Sequence, residues 1–286
     1  MAVVDVNTKL VGLLGNPLGH SFSPAMHNKA FETLGLNYFY LPIEVTAEDL
    51  PAVAAGIAKM NFAGYNITIP HKIRIMDCLD AIDPLALAIG AVNTVIVENG
   101  RTTGYNTDGE GFVQSLETET GIAVGGKCYL IIGAGGAARA IAMTLAFKGA
   151  EKIFLCNRTE QKAHDLAAEI NTKVSPCSEV VAREPARIGA AVRQADVLIN
   201  TTSVGMHPDE DRIPIDGDLI PNGLIVSDIV YNPARTKLLQ VAEAKNGRIV
   251  PGLGMLVYQG AEAFRKWTGA EPPVDVMFEV VRALKG

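Results

Sequence analysis

No C-x-x-C pair occurs among the four cysteines, Cys78, Cys128, Cys156 and Cys177, and no two histidines sit at metal-ligand spacing. Reduced, buried thiols of a cytosolic protein are expected instead. Positive charge is in short supply. The 25 Lys and Arg are outnumbered by 31 Asp and Glu, for a formal net charge of −6. That argues against a general nucleic-acid or anionic-membrane surface, while a local basic pocket stays open. An uncharged membrane-length run is missing too. The most apolar long window, Leu130 to Phe147, contains Arg139 and a glycine cluster, so no membrane span is expected. The opening "MAVVDVNTKLVGLLG" lacks a basic stretch followed by a long apolar core, so no signal peptide is expected. There is no internal repeat and no low-complexity tract. What remains is a chain of 286 residues, 48% apolar and 20% charged. Such a chain buries a sizeable core in one large or two ordinary domains, and a cytoplasmic protein is expected.

Strand and helix signals alternate throughout. "KLVGLLG" reads as a strand, and a helix follows in which Ser23 is placed at the N-cap, Pro24 in the first turn and Gly35 at the end. "YFYLPIEV" reads as a second strand, with Pro42 marking an edge. Thr46 and Asp49 resemble a capping box, and Leu50, Val53 and Ile57 form the apolar stripe of the next helix. "GYNITIPHK" alternates Ile67 and Ile69 with Asn66 and Thr68 as a strand does, until Pro70. "AVNTVIVENGRTTGYN" reads as a hairpin turning at Asn99-Gly100. Asp108 is placed at the N-cap of the helix that follows. From Cys128 the pattern becomes regular βαβ: "CYLIIG", "KIFLC", a weak strand near Val174, "DVLINTT", "LIVSDIV" and "RIVPG", with helices between. This alternation implies a parallel sheet covered by helices. Two helical stretches, Met255 to Trp267 and Val274 to Leu284, end the chain. The expectation is an α/β protein of two α/β domains with a cleft between them. The first covers residues 1–108 and is completed by helices over about 256–286, and the second covers 109–255.

The second domain carries Gly133-x-Gly135-x-x-Ala138 directly after a strand and at a helix opening. This is the context that the dinucleotide fingerprint requires. Gly133 allows the tight turn, Gly135 lets backbone approach a pyrophosphate, and Ala138 permits close packing of helix on strand. The helix N-terminus supplies free N–H groups for the phosphates. A glycine turn that only packs is the plainer reading, and the attached βαβ series favours nucleotide binding over it. At the end of the next strand, "NRTEQK" puts Asn157 and Arg158 where an NAD site usually has an acid. Arg158 offers a planar fork to a 2′-phosphate, and Thr159 can cap the helix or donate to the same group. Lys162 serves equally well as added positive charge or as a solvated surface lysine, whereas Glu160 would repel a phosphate. NADP is favoured over NAD.

In the first domain polar groups cluster at the ends of elements: Ser21 and Ser23, Asn66 and Thr68, Lys72, Asn93 and Asp108. Together they suit a small polyhydroxylated acid. Serines can hold a carboxylate, amides can hold hydroxyls, and a lysine can exchange a proton. Each has a plain structural role as well, Ser23 and Asp108 as caps, Asn93 on backbone and Lys72 as surface charge. His20, His27 and His71 are alternative bases, with local packing preferred for His71.

The stretches "GNPLGHSFSPAMHN", "YNITIPHK", "GAVNT", "YNTDGEGF", "GAGGAARA", "NRT", "NTTSVGM", "VYNPARTKLL" and "GLGMLVYQGAEAF" occur in this order. Over almost its whole length the chain resembles the shikimate dehydrogenase family, including its quinate/shikimate branch. The resemblance implies an N-terminal substrate-binding domain, a Rossmann-type NADP-binding domain and exchange of shikimate with 3-dehydroshikimate, in aromatic amino-acid biosynthesis. It implies Lys72 and Asp108 as the catalytic lysine and aspartate, with proton transfer by Lys72 alone or by the pair. It implies Ser21 and Ser23 for the substrate carboxylate and Asn66, Thr68, Asn93, Tyr231 and Gln259 for other substrate contacts. Cofactor contacts are implied at Gly133, Ala134, Gly135, Gly136, Ala137, Asn157, Arg158, Thr159, Lys162, Thr202, Met206, Ile229, Gly252 and Met255. Met206 serves a nicotinamide contact or core filling alike. Many NADP-preferring members carry a second arginine where this chain has Lys162, so use of NAD as well stays open. Both serines are retained, which leans toward shikimate over quinate. Other readings are a quinate/shikimate dehydrogenase of catabolism, a non-catalytic NADP-binding sensor and a folate-type methylene dehydrogenase. The sensor should lack the Lys72–Asp108 pair, and the folate enzyme fits the serine pair and the Gln259 helix poorly. The only partner expected is the small-molecule substrate, with no nucleic acid or membrane, in a monomer or homodimer.

Overall fold

The computed structural model describes residues 4–19 and 21–285. The chain divides into two compact units, one running through Thr107 and resuming at Val257, the other Asp108–Leu256.

The first unit opens with β1 (Lys9–Gly15), α1 (Ser23–Thr33), β2 (Tyr38–Glu44), α2 (Leu50–Ile57) and β3 (Phe62–Ile67). It continues with β4 (Ala81–Ile82), α3 (Pro84–Ile89), β5 (Thr94–Glu98) and β6 (Arg101–Tyr105). Its sheet has the order β2-β1-β3-β5-β6-β4. β1 runs parallel to β2 and β3, whereas β3 and β5, and β5 and β6, are antiparallel. The hairpin turns where expected, with Asn99 and Gly100 both at positive φ. β2 is an edge strand, as Pro42 indicated. Leu50 and Ile57 of α2 are buried with Leu14, Tyr65, Ile67 and Val95 in one apolar core. The Thr46 hydroxyl accepts from the Asp49 N–H at 3.2 Å, so half of the capping box forms, one turn before α2 proper begins.

Some expectations need correction. Ser23 does not cap α1: it is the first helical residue, and Phe22 occupies the cap position with no side-chain cap bond. Asp108 is likewise inside its helix, α4 (Asp108–Thr120), as its first residue. The short strand β4 and helix α3 were not anticipated. Asp83 caps α3 through its carboxylate, which accepts from the Leu85 and Ala86 N–H groups.

His27 is a core residue and so no candidate base. It is fully buried, stacks on Tyr40 with ring centroids 4.7 Å apart and meets Trp267 edge-on at 5.3 Å. Burial pushes its imidazole down to about 3, so it stays neutral in the fold. The folded value lies below the unfolded one. The stabilisation is therefore complete above about pH 6.5 and is lost as pH falls from there toward about 3. Wild type should lose up to about 1.4 kcal/mol per pH unit from this group across that window. His27→Phe should remove that slope in urea unfolding series, and an unchanged slope would contradict the assignment. His20 lies outside the described residues.

The second unit holds α4, β7 (Cys128–Ile132), α5 (Gly136–Phe147), β8 (Lys152–Cys156), α6 (Glu160–Lys173), β9 (Ser178–Val180) and α7 (Pro185–Gln194). β10 (Val197–Asn200), β11 (Ile225–Asp228), α8 (Lys237–Ala244) and β12 (Ile249–Pro251) follow. The expected weak strand lies later than Val174, because α6 runs on to Lys173 and Val174 is its C-cap. The sheet is parallel throughout, in the order β12-β11-β10-β7-β8-β9. Numbered from β7, this is the 3-2-1-4-5-6 order of the dinucleotide-binding fold, with its switch point between β7 and β10. β10 and β11 are buried at every position, which is what a sheet covered on both faces demands. α9 (Gly252–Thr268) contains the point where the chain passes back to the first unit, and α10 (Val274–Lys285) ends it. There the Trp267 indole donates to the Val95 carbonyl at 3.0 Å, tying the C-terminal segment to β5.

Candidate functional site

In the first unit the polar residues singled out from sequence are organised by a buried hydrogen-bond network. The Tyr40 hydroxyl donates to Asn66 Oδ1 at 2.8 Å. Asn66 Nδ2 donates to the Asn93 carbonyl and to Thr94 Oγ1, each at 3.0 Å. Asn93 Oδ1 accepts from the Thr107 N–H at 2.8 Å and from the Thr94 hydroxyl at 3.0 Å, and its Nδ2 donates to Thr107 Oγ1 at 3.1 Å. Both amides are buried. Their partners therefore fix which end of each amide points where, a preorganisation that solvent-exposed amides lack. Tyr40, Thr94 and Thr107 were missed by sequence reasoning. Thr94 and Thr107 sit inside "GAVNT" and "YNTDGEGF", which was the available signal; Tyr40 had none, since its role is set by β2 lying beside β1.

Lys72 follows β3 in a segment held at several points. Its carbonyl accepts from the Val92 N–H at 2.8 Å, directly next to Asn93. The preceding residue, His71, is buried with Nε2 2.7 Å from the Val45 carbonyl, and its N–H donates to the Thr68 carbonyl at 2.9 Å. His71 is thus a packing residue that positions the backbone of its neighbour. Lys72 itself is half-buried. Thr68 is half-buried too, and its N–H donates to the Leu14 carbonyl at 2.9 Å. Ser21 is exposed, with Oγ accepting from the Ser23 N–H at 3.3 Å. Gln259 is half-buried on α9.

In the second unit the glycine turn has the geometry that its sequence implied. Gly133 has φ +123°, and a Cβ there would lie 2.3 Å from Thr201 Oγ1. That hydroxyl is not free to move away, because it donates to the Ile132 carbonyl at 2.8 Å. The turn therefore packs against β10 at the switch point. Gly135, by contrast, caps α5 at φ −88°, and a Cβ at Gly135 or Gly136 would meet nothing within 4 Å. Among the described residues, no packing requirement accounts for glycine at these two positions. Ala134 and Ala137 flank them in the same turn.

Beside the turn lies a cavity of about 350 Å³, lined among others by Gly133, Asn157, Arg158, Arg183 and Thr202. Gly133, Asn157, Arg158 and Thr202 were expected together from sequence. Lys162, Met206, Tyr231, Ile229, Gly252 and Met255 are not among the described residues that line it. Ile229 and Gly252 do meet each other, since a Cβ on Gly252 would lie 2.3 Å from the Ile229 carbonyl. Met206 and Tyr231 are exposed, and Met255 is half-buried. Thr159 occupies the N-cap of α6, but its side chain makes no cap bond, so capping does not explain it. Asn157 Nδ2 donates to the Thr159 carbonyl at 2.9 Å and shapes the loop.

Two residues at the C-terminal ends of β10 and β11 escaped the sequence reading. Asn200 Oδ1 accepts from the Thr202 N–H and hydroxyl at 3.0 and 2.7 Å, and Asn200 Nδ2 donates to Asp228 Oδ1 at 3.0 Å. Asp228 also accepts from the Val230 N–H at 3.0 Å and the Thr236 hydroxyl at 2.7 Å. Burial pushes its carboxyl up to about 6, against these donors, which hold it down. The pair sets the shape of the loops that carry Thr202 and Ile229.

Comparison with known proteins follows the same division of the chain. Residues 13–95 match the family model for the shikimate dehydrogenase substrate binding domain. Residues 117–207 match that for shikimate / quinate 5-dehydrogenase, and 252–282 that for the shikimate 5'-dehydrogenase C-terminal domain. A shikimate dehydrogenase (NADP(+)) of Methanopyrus kandleri is 48% identical, over 97% of this chain and 96% of its own. The shikimate 5-dehydrogenase of Listeria monocytogenes, solved with shikimate and NAD, superposes with a TM-score of 0.93 at 38% identity, covering 97% of this chain and 98% of that one. The enzyme of Thermus thermophilus, solved with NADP(H) and shikimate, gives 0.83 at 38% identity, over 96% and 99%.

Proposed function

This chain belongs to the shikimate dehydrogenase family, and we propose that it interconverts shikimate and 3-dehydroshikimate with NADP, as a step of aromatic amino-acid biosynthesis in the cytoplasm. The observation that carries the reading is the Asn66–Asn93 network placed directly beside the anchored backbone of Lys72. It offers fixed amide groups for ring hydroxyls next to a lysine that can exchange a proton.

On this reading the Ser21 and Ser23 hydroxyls hold the substrate carboxylate. Asn66, Thr68 and Asn93, with Tyr231 and Gln259, hold the hydroxyls and so orient the ring. Lys72 takes the proton of the 3-hydroxyl as that carbon is oxidised and returns it in the reverse direction. Asp108 is its carboxylate partner in that transfer. The open space at Gly135 and Gly136 admits a pyrophosphate against the N-terminus of α5. The cavity lined by Asn157 and Arg158 takes the 2′-phosphorylated adenosine end. When bound, the nicotinamide cofactor supplies the hydride acceptor.

The test is absorbance at the reduced-nicotinamide band with purified protein, using shikimate and quinate each with NADP and NAD. The expected result is a kcat/KM for shikimate with NADP above the other three combinations. Quinate with NAD as the best pair would move the protein to the catabolic branch, and no signal from any pair would reject a dehydrogenase. Light scattering on the same sample separates monomer from homodimer.

A further inference from the structure

Three arginines, Arg158, Arg183 and Arg212, line the cavity next to the glycine turn, with one acidic residue, Asp209. Only Arg158 lies in the segment that sequence reading tied to the cofactor. Arg212 shares its loop with Asp209, whose carbonyl accepts from the Arg212 N–H at 3.3 Å, so that loop brings both signs of charge. Arg183 has a different setting. β8 and β9 are parallel neighbours in which Leu155 pairs with Val180. Arg158 lies three residues beyond Leu155 and Arg183 three beyond Val180, so the two arginines leave adjacent strands at the same level. The positive charge of Arg183 also acts on the buried Cys156 thiol, opposing the rise that burial causes there. That places its field at the C-terminal end of β8, where Arg158 begins the next loop.

We propose that Arg183 is the second cation for the cofactor's 2′-phosphate and a determinant of NADP over NAD. The assignment rests on the reading above that this cavity takes the adenosine end. A 2′-phosphate carries close to two negative charges at neutral pH, and a single guanidinium balances only part of that. Lys162, the obvious second cation by sequence, is exposed one turn into α6 and is not among the described residues lining the cavity. Arg183 supplies from the neighbouring strand what the sequence pattern sought on the helix.

The experiment is direct binding by titration calorimetry, with NADP, NAD, 2′-AMP and 5′-AMP, to wild type, Arg183→Gln and Arg158→Ala. Arg183 is exposed, so the variant should fold, and its Tm should match wild type. The expected result for Arg183→Gln is a Kd raised roughly tenfold or more for NADP and 2′-AMP, with NAD and 5′-AMP within about twofold of wild type. Arg158→Ala should show the same pattern. Equal weakening of NADP and NAD in Arg183→Gln would assign the side chain to adenine packing and overturn the proposal. So would an unchanged Kd for all four ligands in Arg183→Gln while Arg158→Ala weakens NADP, and the cavity's role would then stand. If neither variant alters NADP binding, the adenosine reading of the cavity falls together with the role of Arg183.

Discussion

Alanine at position 72 should lower kcat by about 10²–10⁴ while leaving KM for shikimate within about threefold of wild type. The substitution spares the backbone anchors around position 72. The Lys72 carbonyl keeps its bond from the Val92 N–H at 2.8 Å, and His71 keeps its contact with the Val45 carbonyl at 2.7 Å. Asn66 and Asn93 keep their bonds to each other, to Thr94 and to Thr107, so the groups assigned to the substrate hydroxyls stay in place. Removing this half-buried side chain from an anchored backbone should cost about 1 kcal/mol of stability or less. What is lost is the group that exchanges the proton, and that loss falls on the chemical step. Steady-state kinetics with saturating NADP, beside a urea unfolding curve, separates the two. Turnover within about threefold of wild type would remove Lys72 from the mechanism. A matching loss of stability would instead make it a structural residue.

The second large effect is a contrast between two glycines of one turn. Gly135→Ala should leave Tm within about 2 °C of wild type or raise it slightly, because φ is −88° and the new methyl meets nothing within 4 Å. It should nevertheless raise the Kd for NADP by roughly tenfold or more, since that open space is where backbone must approach the pyrophosphate. Gly133→Ala should do the opposite first. With φ at +123° and a Cβ 2.3 Å from a tethered Thr201 Oγ1, it should cost about 2–3 kcal/mol of stability, with cofactor affinity lost as a consequence. Thermal melts with and without NADP distinguish the cases. If Gly135→Ala binds NADP as wild type does, the turn serves packing alone and the pyrophosphate assignment fails.

The second unit was the more legible from sequence. Its strands are parallel and buried on both faces, so they appear as short apolar runs separated by helical periods, and the glycine cluster falls between a run and a helix. Only β9 was misplaced, because three residues of a partly exposed strand leave no apolar run to see. The first unit mixes parallel and antiparallel pairings, and its two-residue β4 carries no period at all. Its site residues were recognisable as polar groups at strand ends. Which of them are linked was not, since Tyr40 reaches Asn66 only through the β2-β1-β3 order. Arg183 was invisible for a similar reason. Its nearness to Arg158 follows from the pairing of Leu155 with Val180 across two strands, whereas the pattern along one helix points to Lys162.

The first unit is discontinuous in the chain, and the Trp267 indole reaches the Val95 carbonyl across a sequence separation of 172 residues. During synthesis, a nascent polypeptide that has emerged only to Thr107 therefore still lacks α9 and α10. The uninterrupted Asp108–Leu256 stretch can close its own sheet while those helices are still in the ribosome, so the unit translated first is expected to mature last. A premature stop near residue 257 should leave a protease-resistant nucleotide-binding fragment joined to a labile N-terminal one.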